Sequence, residues 1–154
     1  MAAGAAALIV GLALHGERPG LARFEASGLM AEVPIDRVRA VEVTSATGTR
    51  RFTRGADGRW PAEIDEGLKF LGVTRPERVL TAEEVGAGGG RELGLDPPAA
   101  TVSVRVDGGP PFVVSFGAAN PLGVARYARV GSRREVVLLP RHVADAWDRV
   151  AGGP

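Results

Sequence analysis

The chain opens on an uncharged run, Ala2 to Leu14, and the first charged side chains are Glu17 and Arg18. As a helix these residues rise about 20 Å, short of the roughly 30 Å hydrocarbon core of a bilayer. Three readings stand: the remaining half of a membrane anchor, a signal sequence, or a buried core helix. No basic n-region precedes the run and no A-x-A cleavage site follows, which weakens the second. Gly4 and Gly11 weaken the third, because glycine disfavours a soluble helix. The anchor is the favoured reading. Residues 1–16 are then an apolar anchor or signal-like helix, and 17–34 a linker outside the core. Residues 35–150 form a single domain, and 151–154 a tail.

From Val33 the pattern shortens to period two. Arg37 to Thr44 sets Val41 and Val43 on one face with Glu42 opposite, and Thr49 to Arg54 returns with Phe52. Turn residues Ser45 to Gly48 between them predict a β-hairpin. Pro61 suits a helix start, and Ile64, Leu68 and Leu71 make one helical stripe. Pro76 to Thr81 reads as a short strand, and Thr81 with Glu84 as a capped helix start. The glycines from Gly86 to Gly90 read as a flexible connector. Thr101 to Asp107 alternates strictly, with Val102, Val104 and Val106 on one face. Phe112 to Phe116 returns, and Gly117 to Gly123 reads as a loop. Arg126 to Val130 and Glu135 to Leu139 predict a further hairpin. The chain closes with a helix from about Pro140 to Val150, carrying Val143, Trp147 and Val150. The order is ββα, a link, then ββββα, preceded by the apolar N-terminal helix. It lacks the βαβ rhythm of a parallel sheet, so the expected fold class is α+β: antiparallel hairpins with amphipathic helices packed on one face.

Composition narrows the function classes. Nineteen basic and eighteen acidic residues leave a net charge of +1 in 154 residues, against the clustered positive excess of a nucleic-acid binder. Nucleic acid is therefore not an expected partner. Cysteine is absent, which excludes disulfides, thiol nucleophiles and cysteine-ligated metals. Every basic residue except Lys69 is arginine, which fits the composition of a GC-rich genome.

Little chemistry is legible. His15 and His142 are far apart, and His142 stands at a helix start with Asp145 three residues on. No Gly-x-Ser-x-Gly, metal-ligand or phosphate-loop spacing occurs. The expectation is a non-enzymatic protein without cofactor or metal. Arg50-Arg51 and Arg133-Arg134 form an anion patch only if they share a face; each otherwise decorates a hairpin edge. Trp60 and Trp147 are expected in the core. Candidate binding residues are Asn120, Tyr127 and Arg129, around a sheet groove.

Leu93 to Val104 (LGLDPPAATVSV) resembles the hallmark turn and strand of the bacterial family called domain of unknown function 4340. Val114 to Gly117, then Asn120 to Gly123, resemble that family's next strand and loop. Arg126 to Val130 resembles its YxRV strand, and Val136 to Leu139 precedes the closing helix. Val41 to Val43 and Gly58 to Trp60 resemble the opening hairpin. The resemblance spans roughly residues 35 to 150. It implies a single N-terminal anchor in the bacterial inner membrane, with the domain facing the periplasm or cell exterior. It also implies association with ABC-type transport components of gliding-motility type. It implies no catalytic residues. The alternative is a small module binding lipid or envelope glycan. Gly94, inside the hallmark turn, is expected to need positive φ or a tight contact.

Overall fold

The computed structural model describes residues 28–152, and the apolar run Ala2 to Leu14 lies outside them. Alternating sequences pair first with their neighbours. β1 (Val38–Ser45) and β2 (Gly48–Thr53) form the first hairpin, with Val41 opposite Phe52. α1 (Ala62–Val73) follows directly after Pro61 and buries Ile64, Leu68 and Leu71, the predicted stripe. β3 (Arg78–Leu80), α2 (Ala82–Val85) and α3 (Gly89–Glu92) make the link. β4 (Ala100–Val106), β5 (Phe112–Ala119), β6 (Ala125–Val130) and β7 (Val136–Pro140) form a meander, and α4 (Arg141–Gly152) closes the chain.

The strands make one sheet in the order β2-β1-β4-β5-β6-β7-β3, antiparallel at every pairing. The fold is α+β, with four helices among the described residues. α4 packs on β1, β4, β6 and β7 and against α1. Beneath them Val41, Val43, Val102, Val104, Val114 and Phe116 are fully buried, one face of the alternating pattern. Trp147 fills the space between the two helices. It can do so because Gly67 of α1 has no Cβ, which would stand 2.6 Å from the indole. Trp60 is buried as well, with the Arg54 guanidinium over its ring at 5.2 Å.

Three details depart from expectation. Met30, within the expected linker, belongs to the core, and its backbone N–H donates to Leu71 O at 3.1 Å. Leu29, Met30 and Val33 form an apolar set too short to show a period, so pattern alone leaves it out. The glycine run is built into helices: Gly86 ends α2 with φ +67°, and Gly89 and Gly90 begin α3. β5 also continues through Gly117 and Ala118, part of the expected loop, because an extra residue is accommodated there as a bulge. Phe116 faces Ala128 while Ala119 faces Arg126.

The bulge explains the turn at Leu93 to Leu95. It frees the Gly117 carbonyl and the Ala118 N–H from the ladder. Arg126 Nε donates to Gly117 O at 2.8 Å, and Ala118 N–H donates to Leu93 O at 2.8 Å. Gly94 has φ +67°, and a Cβ there would stand 2.8 Å from Ala118 N. A Cβ on Gly117 would stand 2.3 Å from Leu93 O. Leu93 to Leu95 therefore docks backbone to backbone on the bulge. Both expectations for Gly94, left-handed φ and close approach, hold.

Candidate functional site: two clefts at one hairpin end

The link from β3 to β4 must pass β7, β6 and β5, because β3 lies at one edge of the sheet and β4 beyond β5. It does so over the face opposite α4. Registry places Ser115 beside Arg129, and Tyr127 beside Leu138, on that opposite face. Arg129 Nη2 lies 3.5 Å from where a Cβ on Gly90 would stand, and the Asp96 carboxylate is equally near. The link and β6 thus enclose a cleft of about 640 Å³, lined by Arg129, Asp96, Gly90, Val85, Arg133 and Arg134 among others.

Arg129 is the unusual member. Its Nε is buried and has no hydrogen-bond partner. Such a donor costs free energy until an acceptor reaches it. Arg133 and Arg134 are exposed in the β6–β7 turn. Here the polar wall of the cleft carries three guanidiniums and one carboxylate.

A second cleft, of about 570 Å³, opens on the other side of the same turn, on the core side of the sheet. Leu29, Val33, Val79, Phe112, Val130 and Val137 give it an apolar wall. Gly131, Ser132 and Arg133 line both clefts. Gly28 also lines the second.

The sequence candidates separate. Asn120 closes its own loop: its Oδ1 accepts from the N–H of Val124 at 3.0 Å and of Ala125 at 3.1 Å. It lies four residues along β6 from the level of Arg129, about 13 Å. Tyr127 shares a face with Arg129 but does not line the cleft. Arg129 does. Asp96, which completes the cleft, lies in the Gly-Leu-Asp-Pro turn, but 33 positions separate it from Arg129 and only the crossing link unites them.

The two arginine pairs do not share a patch. Arg50 and Arg51 lie on β2, four strands from β6, or about 19 Å. Arg50 donates to Val150 O at 2.6 Å, and Arg51 pairs with Glu42 at 3.1 Å.

His142 packs edge-on against Phe70, with ring centroids 5.0 Å apart. Asp145 pairs with Arg141 at 3.2 Å. Among the described residues no three His, Cys, Asp or Glu side chains gather as a metal site. Nor is any described helix long and apolar enough to cross a membrane.

Compared with known proteins, the chain matches no family model, no curated protein and no solved structure.

Proposed function

We propose that this chain is a membrane-tethered envelope domain that contacts partner proteins and performs no catalysis of its own. The observation that carries the proposal is the uncharged run Ala2 to Leu14 ahead of a small domain that carries two clefts. An apolar segment ahead of a polar-surfaced domain is partitioned between lipid and water. The Gly-Leu-Asp-Pro turn and its ordered companions support a bacterial inner-membrane location. On that reading the domain faces the periplasm or cell exterior and the partner is an ABC-type transport complex. Gentle solubilisation of membranes followed by co-purification is expected to retrieve transport components. Protease added to spheroplasts is expected to remove residues 28–152. A protein recovered in the soluble fraction and alone overturns the proposal.

The second cleft favours a second reading, a module for a lipid or an envelope glycan. Its site is the apolar wall at Leu29, Val79 and Phe112 rather than the Asn120 loop.

A further inference from the structure

The strongest unexplained chemistry lies on the sheet face away from α4. A guanidinium is planar, always charged and a donor in five directions. The Arg129 group reaches the link between α2 and β4, where its Nε is buried and meets no acceptor. Arg133 and Arg134 approach the same space from the β6–β7 turn. Arg50, Arg51 and Arg54 differ: each donates from a terminal nitrogen to a carboxylate or a carbonyl of the domain, although Arg54 Nε, like Arg129 Nε, is buried without a partner. Among the described residues the guanidiniums of Arg129, Arg133 and Arg134 make no hydrogen bond or ion pair, and all three line one cleft.

We propose that this cleft is a binding site for a phosphate oxyanion. Guanidiniums arriving from a strand and from a turn suit a tetrahedral group, whose oxygens diverge out of a single plane as those of a planar carboxylate do not. A volume of about 640 Å³ exceeds what one phosphate occupies and leaves room for a substituent on it. Asp96 sets the charge preference. Its carboxylate shares the wall with Arg129 and opposes a dianion more than a monoanion. A phosphodiester, singly charged at neutral pH, fits better than a phosphate monoester. The apolar cleft across Gly131 to Arg133 lies where the rest of an amphipathic molecule would go. The site is read from the cleft and stands whether or not the chain is tethered.

The test uses the full chain in neutral detergent, titrated by calorimetry. Two probes separate the sources of the group: inorganic phosphate, and glycerophosphoglycerol, the deacylated phosphodiester headgroup. Saturable binding of either supports the site, and preference for the diester assigns it to a headgroup. Arg129→Gln is expected to weaken binding at least about tenfold, the loss of a charge-assisted pair. Arg133→Gln with Arg134→Gln, at exposed positions that do not endanger the fold, is expected to weaken it about threefold. Asp96→Asn is expected to tighten it and to narrow the preference for the diester. Absence of saturable binding to both probes overturns the proposal. So does binding unchanged in the Arg133/Arg134 double variant and in a folded Arg129→Gln.

Discussion

The two faces of the sheet are closed by different means. Under α1 and α4 closure is apolar: Trp147, Phe116, Leu68, Leu71 and five valines are sealed from water. Each contributes through area removed from solvent, which is non-directional and additive over many partners. On the opposite face the link is held by few contacts, one of them apolar, the buried Leu95 beside Gly117, and the rest directional. Leu93 O receives the bulge N–H, and Gly94 and Gly117 allow the approach, while Arg126, paired with Asp148 of α4, holds the carbonyl that the bulge releases from the other side. Apolar closure leaves no polar group to act on a ligand. Closure by backbone contact leaves side chains such as Arg129 and Asp96 standing in a cleft.

The largest effect is expected where the apolar face is opened. Trp147→Ala removes the side chain that α1 and α4 share and leaves a void that Gly67 cannot fill. Truncation of a buried tryptophan costs about 3–5 kcal/mol. That is a large part of the total stability of a domain this size, about 5–15 kcal/mol. Denaturant unfolding of the full chain, followed by far-UV circular dichroism, is the measurement. A midpoint close to that of the parent would mean that the two helices do not depend on a common core.

The opposite face is expected to yield less and more locally. Gly94→Val forces a β-branched residue into left-handed backbone and against Ala118, and Gly117→Ala presses a methyl on Leu93 O. Each is expected to cost about 1–3 kcal/mol. The distinguishing measurement is amide exchange. The Ala118 N–H, which donates to Leu93 O, should exchange faster in both variants while Trp147 fluorescence stays constant. Equal loosening at Trp147 would erase the distinction between the faces.

Legibility followed the same division. The apolar face could be read because its signals are periodic. The stripe Ile64, Leu68, Leu71 and the alternation Val102, Val104 each repeat within a few residues, and both tryptophans fell in the core as their spacing requires. The helix termini were legible from single residues, Pro61 and Thr81. Met30 was not, since Leu29, Met30 and Val33 are too short a set to show a period. The bulge at Gly117 was not, because an extra residue in β5 follows from its register with β6, a non-local property. The cleft was half legible: Arg129 was named, but Asp96 meets it only because β3 sits at the far edge and forces the link across the sheet. The pairing of Arg133 and Arg134 with Arg129, rather than with Arg50 and Arg51, depends on that strand order too.

The smallest expected effect lies in the link itself and concerns charge. Thr81 Oγ1 accepts from the Glu84 N–H at 3.3 Å, and Glu84 Oε2 accepts from the Thr81 N–H at 2.8 Å, a reciprocal cap on α2. Arg78 Nη2 donates to the other carboxylate oxygen at 2.8 Å. The Thr81 N–H first, and Arg78 after it, hold the Glu84 carboxyl below its ordinary value. A depressed folded pKa means that the unfolded chain binds the proton more readily. The contribution is therefore complete above the ordinary glutamate range and fades as pH falls through the depressed value. Arg39 lowers Asp107 in the same sense, so the acid limb of the parent alone does not isolate Glu84. The difference between parent and Glu84→Gln does. The gap in melting temperature is expected to be present at pH 7 and to shrink as pH drops below the carboxylate range, with the Asp107 contribution common to both. A gap independent of pH would show that the glutamate acts at the cap through shape and hydrogen bonding, not through its charge.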